Sequence, residues 1–193
     1  MTASAQEDPR VSGNRAAVQK AALQVLSSDG AAGLTVDRLA EVSGVSRSTI
    51  YRHWPNIRTL VAAAFEEIMH ASGGPDGDWQ QDPSAALLEY LRDYARRLND
   101  PTYATVLVTI IEWSWRDPQF AQAQARTFDD TRSRVRAILQ VGRAAGVFRS
   151  SLSIDEAVEA VVAPFLYQRL VLRRIIGERQ IRAVHRRLLA QAE

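Results

Sequence analysis

Residues Thr35 to Leu60 have the sequence TVDRLAEVSGVSRSTIYRHWPNIRTL, which carries the clearest structural signals of the chain. Thr35 is placed to cap a short helix, and Gly44 supplies the positive φ that a tight turn between two helices requires. Ser46 is placed to cap a second helix, in which the apolar Ile50 faces back into the domain. This succession of cap, helix, glycine turn, cap and helix predicts a helix-turn-helix.

The outer face of the second helix carries short hydrogen-bonding groups and cations. Such side chains reach base edges and phosphates when a helix lies in the major groove of DNA. An ordinary helical hairpin with a polar outer face is the alternative, but the complete pattern favours DNA binding. The candidate DNA-contacting residues of the helix-turn-helix (35–54) and its flank are Thr35, Ser46, Arg47, Ser48, Thr49, Tyr51, Arg52, His53, Asn56 and Arg58.

The run LTVDRLAEVSGVSRSTIYRHWP, from Leu34 to Pro55, resembles the N-terminal signature of the tetracycline-repressor (TetR) family of bacterial transcription regulators. This resemblance covers about residues 15–69. It implies an all-helical homodimer with a three-helix DNA-binding domain and a larger effector-sensing domain. The family often has a phosphate-binding lysine where this chain has Ile57, so Arg58 is the candidate replacement for that contact.

Composition excludes several classes of protein. The 193 residues include no cysteine, which excludes disulfides and thiolate metal sites, and the net charge is only +2. The N-terminus lacks a secretory signal and no apolar run reaches the roughly 18 residues of a membrane span, so we expect a cytoplasmic protein. The three histidines have no metal-ligand spacing and no catalytic motif is present. We therefore expect no metal, no cofactor and no enzymatic activity.

Helical periodicity continues through the chain and predicts an all-α fold of about nine helices. The expected division is a disordered N-terminal arm (1–13), a helix-turn-helix DNA-binding domain (14–60) and a ligand-binding and dimerisation domain (61–193). The stretch 71–83, rich in Gly, Pro and Asp, is the best linker or loop candidate. The predicted helix 118–145 has an arginine-rich face, which we interpret as solvated surface, with a second nucleic-acid site as the alternative.

Aromatic residues concentrate in the larger domain. The TetR resemblance places helices five to eight around an effector pocket, although aromatics at helical spacing also suit a plain core. The pocket candidates are Tyr90, Tyr94, Tyr103, Leu107, Ile110, Ile111, Trp113, Phe128 and Phe165. Such a lining predicts an apolar or aromatic small-molecule effector.

The segment 155–177 is apolar almost all round, with Pro164 inside it. A helix with two apolar faces is either central in its domain or in contact with a partner chain. The resemblance implies that the last two helices pair with their copies in a homodimer. The candidate interface residues are Val161, Phe165, Leu172, Ile176, Val184 and Leu188.

The leading hypothesis is a ligand-responsive transcriptional regulator, a repressor that a small molecule releases from a palindromic double-stranded DNA operator. One alternative is a dimeric small-molecule binding protein of the same fold that does not bind an operator. Another is a DNA-binding protein whose core is filled and which responds to no effector.

Overall fold

The computed structural model describes residues 9–71, 79–149 and 151–189, and within these ranges the regular structure is entirely helical. This confirms the predicted all-α fold of about nine helices. The helices are α1 (Pro9–Asp29), α2 (Val36–Ser43), α3 (Arg47–His53), α4 (Ile57–Ala71), α5 (Pro83–Asn99), α6 (Pro101–Ser114), α7 (Pro118–Ala144), α8 (Ile154–Leu166) and α9 (Glu178–Leu188), with a 3₁₀ turn at Ala31–Gly33 and a π-helical turn at Tyr167–Val171.

Local signals in the sequence determine several helix ends. Pro83 and Pro101 begin α5 and α6, where the missing N–H is harmless because the first turn has no intrahelical acceptor for it. Gly146 follows α7 with a φ of 71°, as expected of a residue that stops a helix. Ser153 and Glu156 form a reciprocal capping box at the start of α8.

The start of α1 differs from the prediction of a disordered arm over 1–13. The helix begins at Pro9, so residues 9–13 are helical, while residues 1–8 lie outside the described part of the chain. Proline suits the first turn of a helix, and Gly13 is tolerated within α1 at a modest cost. Most of the predicted linker 71–83 also lies outside the described residues.

One continuous core joins the DNA-binding helices to the rest of the molecule. Helix α1 packs against α2, α4 and α6, and α7 packs against α5, α6 and α8. Val18 of α1, Ile50 of α3 and Leu107 of α6 belong to the same buried cluster. The helix-turn-helix therefore packs on the same buried core, and α4, which crosses the predicted domain boundary at residue 60, connects it to the larger domain.

The apolar segment 155–177 is not one helix. Helix α8 ends at Leu166, the π-helical turn follows, and residues 173–177 are irregular. Pro164 lies in the last turn of α8 and offers no N–H, which weakens the regular ladder just before the wider turn begins. Arg173, the first residue of the irregular stretch, has a φ of 55°.

The predicted dimer residues must be corrected. Except for Leu172, all of them are buried within the single chain: Val161, Phe165, Ile176, Val184 and Leu188. The all-round apolar character of α8 has a different cause, since α8 packs against α5, α7 and α9 of its own chain. The first reading of that pattern, a helix central in its domain, therefore accounts for these side chains.

The arginine-rich face of α7 is largely paired within the chain. Arg132 forms an ion pair of 2.6 Å with Glu159, and Arg136 pairs with Asp155. Arg143 donates to the Ser153 carbonyl at 3.1 Å. Arg136 also holds the pKa of the Asp155 carboxyl below its ordinary value. These contacts join α7 to α8, which argues against a second nucleic-acid site on this face.

Candidate DNA-binding site

The helix-turn-helix has the geometry that its local sequence predicts. Thr35 is the N-cap of α2, and its hydroxyl oxygen accepts from the Arg38 backbone N–H at 3.2 Å. Gly44 has a φ of 71° and directs the chain out of α2. Ser46 is the N-cap of α3 and accepts from the Thr49 N–H at 3.3 Å. Both helix starts are therefore fixed by side chains, and the turn between them requires glycine-like backbone freedom.

Helix α3 has a buried face and an exposed face. Ile50 and the following Trp54 are buried, at 2% and 6% exposure, and anchor the helix on the domain. Tyr51 is 59% exposed even though it is a large aromatic residue. The remaining candidates on the exposed side are Arg47, Ser48 and Arg52, whereas Thr49 and His53 are half-buried. This distribution leaves the polar face of a short helix free to enter a DNA groove.

The two arginines of α3 differ in their surroundings. Arg47 forms a 2.7 Å ion pair with Asp37 of α2, and both side chains remain about two-thirds exposed. Arg52 has no carboxylate partner among the residues that the structure describes. A guanidinium presents a fork of donors that matches guanine edges and phosphates. Arg52 can make such a contact without breaking an ion pair, whereas Arg47 must first break its ion pair with Asp37.

The hydroxyls at the start of α3 form a local network. The Ser46 hydroxyl lies 3.0 Å from the hydroxyls of both Ser48 and Thr49. Such contacts restrain the side-chain rotamers before any ligand arrives, and that lowers the entropy lost on binding. This part of the candidate surface is therefore preorganised.

His53 is placed differently from the exposed candidates. Its ring packs edge-on against Trp54 at 5.7 Å, and its Nε2 atom is buried without a hydrogen-bond partner in the structure. A phosphate contact through Nε2 therefore requires the ring to turn outward. A buried nitrogen without a partner is costly, so DNA binding that satisfied this atom would gain free energy.

The N-terminus of α4 carries the two flanking candidates. Asn56 accepts from the Thr59 backbone N–H at 2.9 Å and so occupies a capping position. Arg58 is 53% exposed and forms a 3.1 Å ion pair with Asp117, which lies between α6 and α7. Its guanidinium also lies 5.8 Å from the centre of the Trp113 ring. In this structure Arg58 is held by the larger domain.

Sequence reasoning missed two carboxylates that pair with candidate DNA-contacting arginines. Asp37 pairs with Arg47 and Asp117 pairs with Arg58. The sequence signal for Asp37 was its place in the first turn of α2, where a carboxylate suits the helix dipole. Asp117 lies directly before Pro118, the first residue of α7. No local pattern links residues that lie 59 positions apart.

The candidate pocket residues lie in or against the core of the larger domain. Tyr94 stacks on Tyr90 with ring centres 6.3 Å apart and meets the Phe165 ring edge-on at 5.9 Å. Tyr103, Leu107 and Ile110 are also buried. Ile111, Trp113 and Phe128 are partly buried and pack on the same cluster. The predicted residues therefore lie in or against one buried cluster, in which Tyr94 contacts the rings of Tyr90 and Phe165.

The described residues contain no group of three or more His, Cys, Asp or Glu side chains placed to hold a metal ion. Among the described helices, none is both long enough and apolar enough to cross a membrane.

The fold and the exposed recognition helix define a helix-turn-helix DNA-binding protein. A family model described as "Bacterial regulatory proteins, tetR family" matches residues 19–64. A second, described as "Tetracyclin repressor-like, C-terminal domain", matches residues 80–188, which is more than half of the chain. The chain belongs to the TetR family of transcriptional regulators.

Sequence relatives agree with this assignment. The uncharacterized HTH-type transcriptional regulator YdeS of Bacillus subtilis is 28% identical over 166 residues, which cover 84% of this chain and 81% of that protein. The class C tetracycline repressor protein of Escherichia coli is 38% identical over 71 residues, but these cover only 34% of this chain and 32% of the repressor.

Solved structures share the fold at low sequence identity. The fatty acid degradation regulator FadR of Bacillus halodurans superposes with a TM-score of 0.75 at 18% identity, over 94% of this chain and 95% of that one. The flavonoid-responsive regulator FrrA has a TM-score of 0.66 at 21% identity, over 90% and 91% of the two chains. These likenesses extend the shared architecture to the whole larger domain.

Proposed function

We propose that this regulator is a homodimeric repressor that binds a palindromic operator and that a small molecule releases. The observation that carries the proposal is the exposed polar face of α3 on an anchored base. Arg47, Ser48, Tyr51 and Arg52 face solvent, while Ile50 is buried behind them. Proteins bind operators with such a face, because phosphate contacts give affinity and a few base contacts give specificity.

Within this surface we propose a division of roles. The serines and threonines of α3, together with Arg47, contact base edges, and Tyr51, His53, Thr35 and Arg58 contact the backbone. A bidentate arginine is the commonest specific contact in the major groove, whereas a tyrosine hydroxyl suits a phosphate oxygen. The exposed position of Tyr51 supports its role, since a side chain that is 59% exposed is accessible to a phosphate of bound DNA.

Homodimerisation is proposed to use an apolar surface at the end of α8 in place of the buried candidates. Tyr167, Val171, Leu172 and Ile175 are 56%, 65%, 39% and 65% exposed, and we call them the C-terminal apolar surface. A cluster of large exposed apolar side chains in one short segment marks an interaction site. A second copy of the chain is the proposed partner, because a palindrome is read by two α3 helices about 34 Å apart.

We propose that the effector binds within the aromatic group around Tyr90, Tyr94 and Phe165. Burial raises the pKa of Tyr103 to about 12 and also raises the pKa of Tyr90 and Tyr94. These hydroxyls therefore stay neutral at physiological pH. A site lined by aromatic rings and neutral hydroxyls suits an uncharged apolar or aromatic molecule, which has to part the ring contacts as it enters.

The proposed path of response runs through α4. This helix leaves the DNA-binding domain at Ile57 and packs against α6 and α7, and its Arg58 is paired with Asp117. A ligand that moves α6 or α7 changes the position of α4 and hence the spacing of the two α3 helices. Ligand and operator then weaken each other's binding by the same factor, typically about 5–150-fold.

A mobility-shift titration tests the operator proposal. The full chain is titrated with duplex DNA from upstream of its own gene and with a shuffled duplex of equal length and composition. We expect binding to the upstream duplex to be at least about 1,000-fold tighter at physiological salt. Equal affinity for both duplexes would contradict operator recognition by the protein at that locus. For a ligand that binds the larger domain, reciprocal titrations should then give equal coupling factors.

Two observations favour the other candidates. Ile57 offers no cation for a phosphate, and Arg58 is paired with Asp117, as expected of a ligand-binding protein that no longer reads an operator. Mutual packing of the Tyr90, Tyr94 and Phe165 rings favours a regulator with a filled core and no effector. The mobility shift separates the first candidate from the proposal, and a saturating ligand titration separates the second.

A further inference from the structure

A groove of about 470 Å³ lies between the N-terminal part of α6 and the π-helical turn after α8. Its volume falls in the range of small-molecule sites, which is about 300–1,000 Å³. None of the candidate effector-pocket residues lines this groove. It is therefore separate from the aromatic group in the core.

The charged part of the lining is exclusively basic. Arg169 and Arg173 border the groove, and no carboxylate lines it. The Arg169 Nε atom donates to the Leu98 carbonyl at 3.0 Å, which fixes this side chain against α5. Within the part of the chain that the structure describes, neither arginine has an ion pair. Two cations without counter-charges at one cavity favour an anionic occupant.

The remaining lining is apolar or has used its donors. The Thr105 hydroxyl donates to the Pro101 carbonyl at 2.8 Å, and the Thr109 hydroxyl donates to the Thr105 carbonyl at 3.0 Å. Val108 and Leu170 supply apolar surface, and Val108 is 49% exposed. The guanidinium groups are thus the donors left for a ligand, beside a wall that suits hydrocarbon.

The backbone that presents Arg173 is unusual. Among the described residues it is the only non-glycine residue with a positive φ, at 55°. A strained residue persists where surrounding contacts over-determine it, and such residues concentrate at functional sites. The π-helical turn Tyr167–Val171, which carries Arg169, is a second rare feature with the same tendency. Both irregularities bring arginines to the groove.

We propose that this groove binds a small organic anion with an apolar body, its head group between Arg169 and Arg173 and its body against Val108 and Leu170. A carboxylate and a phosphate monoester share the required chemistry, since both accept paired hydrogen bonds from guanidinium. No residue of the helix-turn-helix lines the groove, so binding at this site can be measured without DNA.

Isothermal titration of the full chain without DNA tests the proposal. Octanoate and octyl phosphate are the anionic probes; 1-octanol carries a similar body without the charge, and acetate carries the charge without the body. We expect saturable binding of at least one anionic probe below millimolar concentration, with no saturable binding of 1-octanol or acetate in the same range. The tighter of the two anions identifies the head group.

Arg173→Gln is the decisive variant, and Arg174→Gln is its matched control on the next residue, outside the groove lining. We expect Arg173→Gln to weaken the binding of the anionic probe about tenfold or more, because a charge-assisted hydrogen bond is lost. Arg174→Gln should keep the wild-type affinity. The proposal is overturned if neither anionic probe shows saturable binding. This includes the case in which a second copy of the chain occupies the groove and excludes the probe. Equal losses in both variants, or equally tight binding of 1-octanol, overturn it as well.

Discussion

Arg58 and Asp117 form an ion pair of 3.1 Å between the first turn of α4 and the connection from α6 to α7. Arg58 is also the residue that the sequence offers in place of a missing phosphate-binding lysine. One side chain therefore has two possible partners, a carboxylate of the larger domain and a phosphate of DNA. Since an exposed ion pair contributes only about 0–1 kcal/mol, the exchange between them is energetically accessible.

Asp117→Asn should release Arg58 toward DNA. The asparagine keeps the capacity to cap α7 but loses the charge that holds the guanidinium. We expect operator and non-operator DNA to bind up to about fivefold more tightly, because the exposed pair contributes about 1 kcal/mol at most. Fluorescence anisotropy over a range of salt concentrations measures both affinities.

Arg58→Gln is the complementary change. It should weaken binding to all sequences equally and reduce the slope of log affinity against log salt by about one. Arg116→Gln is the matched control, because Arg116 lies beside Asp117 and pairs only loosely, at 3.8 Å, with Glu112. An unchanged salt slope in Arg58→Gln would show that Arg58 does not contact phosphate.

Arg47→Gln should change which base is preferred at one operator position. The lost bidentate contact should cost about 1–3 kcal/mol for the preferred base and much less for the others. Tyr51→Phe is the control, since the loss of a phosphate contact should weaken all sequences about equally. Competition with singly substituted operators measures the preference. A specificity change in Tyr51→Phe with none in Arg47→Gln would reverse the proposed roles.

Ile175→Asp should give a folded monomer. Ile175 is 65% exposed in the single chain, so a carboxylate there stays solvated until a partner covers it. Val161→Asp should instead unfold the protein, because Val161 is completely buried. Sedimentation at micromolar concentration and circular dichroism distinguish the outcomes. If Ile175→Asp remained a dimer, the C-terminal apolar surface would not be the dimer interface.

Stability should fall on mild acidification because of His185. Burial lowers its pKa from 6.5, and Arg182 and Arg92 lower it further, although Asp82 and a hydrogen bond from Nε2 to the Ser84 carbonyl oppose this. Between this lowered pKa and pH 6.5 the unfolded chain therefore binds more protons at this histidine than the folded chain does. The free energy of unfolding decreases as pH falls through this window, by at most about 1.4 kcal/mol per pH unit. Urea unfolding from pH 7 to pH 5 should show a flatter dependence in His185→Gln, and equal slopes would contradict this origin.

The DNA-binding half was predictable because its signals are local. Thr35 and Ser46 cap through bonds to residues three positions ahead, and Gly44 adopts its positive φ within the turn itself. Each of these choices depends on neighbours in sequence, and the TetR resemblance of the same stretch agreed with them. The succession of cap, helix, glycine turn, cap and helix was therefore predicted correctly.

The interface residues were not predictable in the same way. An apolar helix shows only that both of its faces are covered, and α8 is covered by its own chain. The sequence prediction also treated residues 155–177 as one helix. It therefore missed the π-helical turn and the outward position of Ile175. The pairs Arg47–Asp37 and Arg58–Asp117 depend on tertiary contacts that no spacing encodes.

Selection from a random duplex library measures sequence-specific recognition by α3. The full chain is incubated with the library at physiological salt, and the bound DNA is sequenced after successive rounds. We predict enrichment of a palindrome whose half-sites lie about one helical turn, or roughly 34 Å, apart, because two copies of α3 must reach neighbouring major grooves. Bound DNA with the same sequence distribution as the input library would contradict the account.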